Sequence, residues 1–562
     1  MDFSGVAHYT GDRQFSTAIA RPGCVVCGVS LDNNLIGKKN IRFRNVFCVL
    51  LALLCSHARA GAAGKGMGYD EVVRRAKESA SQPYKAPPEV PRFLRELSYN
   101  DYQNIRFNPD KSLWQDNKSN FQVMLVPPGL YYTHTVKINI VDSKGVHQLP
   151  FQEELFNFDD PELAKRMPRD LGYAGFKLTY PLEQASVQNQ FLVFAGASYF
   201  RGVGRDNAWG ISARGVAIDT GLPTGEEFPS FVEFWLVKPA ADADSVVVYG
   251  LLDGPSLAGA YQFTVSPGNK LQVKVKAMLF PRKNVQLLGA APLTSMFFYG
   301  ENTPRPRGEW RAQVHDSDGL LIQNGTTNEW LWRPLINPKN LEMDYFATEN
   351  VRGFGLLQRD DLFTDYQDLA AHYHARPSTW VEPQGNWGKG TVVLVQLPTT
   401  LETNDNIVAF WTPEKAITAQ EPIALSYNLN FGNSRLANEP MGQAINTFLG
   451  DGNIIGGGHA EGAYRVIVDF AGGVLDKVPA EALVNGVVSA QEEGEVLEQY
   501  VEYNAPLKAW RLSILARPAK NKPLVLRAFL SQKVQGSQGT QEEKTLTETW
   551  NYRLPVDNDI LR

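Results

Sequence analysis

At 562 residues the chain exceeds what one hydrophobic core usually supports, so two or three domains are expected. Its 43% hydrophobic and 20% charged content is that of a globular protein. The formal charge of −5 gives no basic footprint for nucleic acid, whereas a neutral ligand such as a sugar would tolerate it.

In chain order, residues 1–37 read as an over-extended reading frame. Lys38, Lys39, Arg42 and Arg44 then form a basic stretch, residues 46–55 an apolar run of ten, and Ala58-Arg59-Ala60 a small-x-small cleavage pattern. Together 38–60 read as a secretory signal peptide, whose apolar run is too short to span a bilayer. All four cysteines (Cys24, Cys27, Cys48, Cys55) precede residue 56. A mature chain beginning near Gly61 therefore has no disulfide and no thiolate metal site, and Cys24-Val25-Val26-Cys27 is not a redox motif of the mature protein. With no later run of eighteen apolar residues to embed it in a membrane, the mature protein is expected in the periplasm.

An amphipathic helix is expected over 69–77, followed by a proline-rich connector (Pro83, Pro87, Pro88, Pro91). Strand signals then dominate. Tyr261, Phe263 and Val265 alternate with polar residues, 266–270 turn, and Leu271, Val273, Val275 and Ala277 alternate back, which predicts a hairpin with one buried face. Residues 231–237 and 391–397 are dense apolar runs of the kind covered on both faces. One helix is expected to interrupt the strands, starting at the Thr364/Gln367 capping spacing and stopping at Pro377. The fold class is all-β: a large sandwich over 66–435, a Gly/Asn-rich linker over 436–458, and a small immunoglobulin-like sandwich over 459–557 with strands near 464–470, 510–516, 524–530 and 546–554.

Residues 299–411 hold six of the eleven tryptophans, laced with carboxylates. Pyranose C–H faces stack on indole, hydroxyls donate to carboxylates, and a carboxyl pair can do acid/base work on a glycosidic bond. A large β protein also needs tryptophan in its core and acids on its loops, so each residue has two readings. Glu402 and Asp405 fall between two predicted strands, at a sheet edge where a cleft would put them. Tyr373, Trp380, Trp387 and Trp411 are the aromatic candidates for a cleft, with Trp380 equally suited to a core. Asp316 and Asp318 share one face if extended and diverge if Gly319 makes a turn. Arg201, Arg205 and Arg214 cluster around Gly-rich turns and suit either sugar binding or structural ion pairs.

Other chemistries find no support. His372 and His374 are spaced i, i+2 and would point apart on a helix. Asp316-Ser317-Asp318-Gly319 lacks the third acid of a calcium loop. Residues 196–200 (GASYF) lack the closing glycine of a nucleophile elbow and read as a tight bend. No cofactor and no metal are expected.

The strings FAGASYFRGVG (194–204), SARGVAIDTG (212–221), FYGENTPRPRGEWRAQVHDSDGL (298–320), NEWLWRPL (328–335), RPSTWVEPQGNWGKG (376–390) and ETNDNIVAFWTP (402–413) resemble the osmoregulated periplasmic glucan biosynthesis proteins, G and D types. The likeness runs from about Tyr69 to the WNYRLP ending. It implies a galactose-mutarotase-like sandwich plus an immunoglobulin-like domain, serving synthesis of periplasmic glucans with a β-1,2-linked backbone. Lys38-Lys39 in place of a twin arginine is similar to the G type. Both types also resemble an inverting glycoside hydrolase family acting on β-1,2-glucan. That likeness implies Asp405 of ETND as general acid and Asp316 or Asp318 of HDSDG as a base acting through water. The rival implication is a non-catalytic scaffold that holds glucan for a membrane glucan synthase. A mutarotase-like epimerase would rest on fold analogy alone.

Overall fold

The computed structural model describes residues 66–554 apart from 455, 492 and 536–539. The over-extended start, the signal peptide and Gly61 lie outside the described residues. The first element is the helix Tyr69–Ala80, acidic in its first turn and basic in its last, as the helix dipole favours. Its buried face (Tyr69, Val72, Ala76) packs with Trp235, Leu251 and Ala260, which closes the outer side of a sheet.

Two large sheets make the sandwich. One has ten strands and includes Asn189–Ala195, Tyr199–Gly202, Ser212–Arg214, Leu288–Ser295, Ile407–Pro413 and Lys389–Gln396. The other has fifteen, among them Ser230–Val237, Val246–Asp253, Leu257–Ser266, Leu271–Pro281 and Ile423–Gly432. The expected hairpin forms with Tyr261 opposite Ala277 and Val265 opposite Val273. Between the sheets, Phe176 meets Phe234 at 5.1 Å and Phe194 meets Phe263 at 5.0 Å, both edge to face. Such ring pairs join layers that bury their alternating apolar residues against one another. The GASYF segment is the tight bend joining Asn189–Ala195 to Tyr199–Gly202, with Gly196 at φ 80° and Ala197 at φ 41°.

The C-terminal part is also a two-sheet β structure. Gln443–Asn453, His459–Ala471, Ala509–Arg517 and Glu495–Asn504 form a four-stranded sheet. Its companion strands, Asn485–Gln491, Leu524–Gln535 and Thr549–Leu554, continue the fifteen-stranded sheet. Thr549–Leu554 runs parallel to Trp330–Pro334 and sets Trp332 opposite Trp550. A second core joins Trp330, Trp332 and Trp380 to Trp510, Trp550 and Tyr552. Sheet and core therefore both cross the expected boundary.

Two expectations need correction. Residues 436–458 are not simply a linker, because they carry the strand Gln443–Asn453. The glycines that suggested irregularity do two other jobs. Gly456, Gly457 and Gly458 have positive φ and turn the chain into His459–Ala471, and a Cβ on Gly452 would lie 2.3 Å from the Ala460 carbonyl oxygen. The helix expected to run to Pro377 is a single turn, Phe363–Tyr366. Gln367 at φ 60° and His372 at φ 50° break it, and the Asp368 carboxylate accepts the amides of Ala370 and Ala371, both at 2.8 Å. That local turn outcompetes the helix.

Candidate functional site

Asp405 and Glu402 lie on the loop joining Lys389–Gln396 to Ile407–Pro413. The loop is pinned at several points. The Asn406 side chain receives the Phe297 amide at 2.9 Å and donates to the carbonyls of Phe297 and Leu397 at 3.0 and 2.9 Å. Asn337 receives the Thr399 amide at 2.9 Å and donates to the Thr399 carbonyl at 2.9 Å. Sheet-edge loops are usually mobile, and this one is fixed by side-chain amides.

Arg201, on Tyr199–Gly202, donates through Nη2 to Asp405 Oδ2 at 3.2 Å. A fifth of the Asp405 side chain remains exposed. Burial is nevertheless the main influence on its carboxyl and, with the nearby charge of Asp316, outweighs the attraction of Arg201, Arg214 and Arg376, so its pKa rises to about 6. Arg214 is itself fixed by Glu226 and by Thr294 Oγ1 at 2.8 Å, with its guanidinium 4.7 Å from the centre of the Tyr199 ring.

Asp316 is buried in the turn between Val314–His315 and Gly319–Gln323, with its amide donated to the Met296 carbonyl at 2.8 Å. Its Oδ1 accepts from Arg376 Nη1. The Arg376 guanidinium lies 4.1 Å from the centre of the Tyr373 ring. The turn suggested by Gly319 does make the two acids diverge. Asp318 Oδ2 accepts the amides of Arg359 and Asp360 at 2.8 and 3.1 Å, while its buried Oδ1 has no hydrogen-bond partner in the protein.

Asp318 belongs to a second place, a cavity of about 30 Å³ lined in part by Glu301, Asp360, His315, Trp332 and Thr447. That space admits roughly one or two waters. Burial first, and the neighbouring Asp360 second, push Asp318 up to about 8 and Glu301 up to about 9. Arg359, which pairs with Glu548 at 2.6 Å and lies 3.6 Å from the Trp332 ring centre, adjoins this cavity.

Glu402 is bound elsewhere. Arg311 Nη2 donates to Glu402 Oε2 at 2.5 Å and to Glu309 Oε2 at 2.7 Å, and its Nη1 donates to Asp368 at 3.1 Å. This guanidinium ties together three loops around the Asp405 pocket.

The aromatic candidates separate. Tyr373 is buried but sits at the pocket, where it feels Arg376, Asp316 and Glu402. Trp380 is core, stacked on Trp330 at 5.9 Å, because the small-sandwich core reaches under its strand. Trp387 and Trp411 pack together at 5.0 Å, Trp387 also meeting Tyr427. Trp411 lies on the strand Ile407–Pro413 that follows the Asp405 loop. Arg311, Arg376, Glu301 and Asp360 were not picked out from sequence. Their partners lie 42 to 146 residues away in the longer-range contacts, and no local pattern announces them. Among the described residues no group of three or more His, Cys, Asp or Glu is placed to hold a metal ion, and no helix is long and apolar enough to cross a membrane.

Comparison with known proteins agrees over nearly all of this chain. The family model described as "Periplasmic glucan biosynthesis protein, MdoG" matches residues 67–554. Glucans biosynthesis protein G of Ralstonia nicotianae is 42% identical over 516 residues, covering 90% of this chain and 98% of that protein. The Serratia proteamaculans protein of the same name is 42% identical, covering 91% and 96%, and one from Pseudomonas putida is 38% identical, covering 90% and 97%.

Proposed function

The chain belongs to the MdoG family of periplasmic glucan biosynthesis proteins, and from that membership we propose that it is exported to the periplasm by its 38–60 segment, binds β-1,2-linked glucan and cleaves it by inverting acid/base hydrolysis. Asp405 is the general acid. Asp316 is the base, acting on a water directly or through further waters. Water attacks the anomeric carbon as the glycosidic C–O bond breaks. Asp405 gives its proton to the leaving oxygen, and the proton lost by the water passes to Asp316.

The observation that carries this reading is the pairing of environments. Asp405 is raised to about 6, toward the range a general acid needs, and Asp316 is the acidic neighbour that contributes to that rise. Asp318 is less suited to be the base. A carboxyl pushed up to about 8 is protonated at neutral pH, and its neighbours are those of the second cavity. Tyr373 and Glu402 border the pocket and are assigned to glucan binding.

One observation favours a second reading. Both acids have guanidinium partners, Arg201 for Asp405 and Arg376 for Asp316. A pocket of such ion pairs could hold glucan hydroxyls without cleaving, as a scaffold for a membrane synthase would. The deciding experiment is release of reducing ends from linear β-1,2-glucan by purified mature protein. Release that disappears in Asp405→Asn supports hydrolysis. Binding of glucan with no release by the unaltered protein supports the scaffold.

A further inference from the structure

Three strongly exposed apolar side chains share one anchor. Trp310 is 64% exposed, Leu369 77% and Leu401 57%. Trp310 stands between Glu309 and Arg311, Leu369 follows Asp368, and Leu401 precedes Glu402. Those four charged residues form one ion cluster centred on Arg311. The three apolar residues lie 32 to 91 positions apart in the chain, yet each adjoins a charged residue of that one cluster. Of the eleven tryptophans, Trp310 alone is exposed, whereas the others are buried or half-buried. A tryptophan normally hides most of its surface, so its presentation on a rigid, charge-tied loop calls for an occupant.

We propose that Trp310 is a glucosyl-stacking subsite outside the Asp405 pocket, gripping a part of the glucan chain remote from the bond at Asp405. The proposal rests on the glucan reading above. Two features select a sugar over a protein partner. Carboxylates border the subsite, and sugar hydroxyls donate to carboxylates while ring C–H faces cover the indole. Glu402 joins it to the pocket, since Glu402 and Asp405 lie on the same pinned loop.

The test is calorimetric titration of the mature protein, Trp310→Ala and Trp310→Phe with β-1,2-linked glucose disaccharide and with linear β-1,2-glucan of ten or more units, with melting temperatures recorded. Trp310→Ala should weaken binding of the long glucan about fivefold, the value of one stacked ring. It should leave disaccharide binding unchanged, and Trp310→Phe should recover most of the loss. Equal affinity of Trp310→Ala and the unaltered protein for long glucan overturns the subsite and leaves the pocket reading standing. Equal weakening for disaccharide and long glucan also overturns it, because Trp310 would then act on the pocket itself. Failure of the unaltered protein to bind either ligand removes both the subsite and the glucan reading. Should Trp310→Ala melt early, Trp310→Phe decides alone: affinity for long glucan within twofold of the unaltered protein at an unchanged melting temperature supports stacking, and a fivefold loss with the larger ring retained opposes it.

Discussion

The Asp405 pocket and the Glu301–Asp318–Asp360 cavity are both made of buried carboxyls, yet they resolve the cost of burial in opposite ways. In the pocket, three arginines compensate the acids, and Asp405 rises only to about 6. In the cavity, burial and neighbouring acids raise Asp318 and Glu301 to about 8 and 9 although backbone amides and the adjoining Arg359 guanidinium oppose the rise, and Asp360 stops at about 6. Two aspartates separated by a single serine fall on opposite sides of this divide, because the chain turns at Ser317 and sends one to Arg376 and the other to the amides of 359 and 360. The cavity belongs to the junction with the small sandwich, where the Thr447 amide donates to Glu301.

The largest break in the comparison should come from Asp405→Asn. It keeps the shape but cannot deliver a proton, so glucan cleavage should fall by about 10²–10⁴-fold with binding retained. Asp318→Asn should retain most activity. In the unaltered protein, cleavage should decline as pH rises past about 6, when Asp405 loses its proton. Reducing-end assays across pH, alongside melting curves, test all three; an Asp318→Asn enzyme as inactive as Asp405→Asn would erase the distinction between the two places.

Next in size is Arg359→Ala. It leaves Glu548, whose side chain is fully buried, without its partner and uncovers Trp332. Stability should drop by about 3–5 kcal/mol, measured by denaturant unfolding. A change below about 1 kcal/mol would show that the junction does not depend on this ion pair.

A smaller effect follows from the cavity's protons. Carboxyls with folded pKa values raised to about 6, 8 and 9 bind more protons folded than unfolded. Their contribution to stability is therefore full below the ordinary carboxylate range near pH 4 and is lost progressively as pH rises to about 9. Melting temperature should fall over that window, and Glu301→Gln should flatten the fall by on the order of 1 kcal/mol. A melting temperature that rises from pH 5 to 9 contradicts the assignment.

The smallest effect is expected from Trp387→Ala. Its ring packs on Trp411 and Tyr427, so affinity for short glucans should change less than twofold by titration. A fivefold loss would bring that aromatic pair back into the binding surface.

Much of the architecture was legible because it depends on local pattern. Period-two alternation at 261–277 fixed which side chains face inward, and the hairpin forms in that register. The acids of the ETND string could be located between two strands, since two dense apolar runs bracket them, although both strands lie inside the sheet and not at its edge. The fate of the helix at 364–377 was less legible: its apolar spacing was correct, but an aspartate that captures two backbone amides decides the turn.

By itself, then, the sequence determined the all-β class, the strand faces and, through long tryptophan-rich strings, the family. Only the tertiary structure decided which acids meet which cations. Asp405 and Arg201 are 204 residues apart, Arg376 and Asp316 sixty, Arg359 and Glu548 189. Nor could an indole reveal from its sequence whether a second sandwich lies beneath it, as it does beneath Trp380, or open solvent lies beside it, as at Trp310. The physical reason is that side-chain periodicity acts over a few residues, whereas desolvation and ion pairing depend on whatever the folded chain brings within a few ångströms.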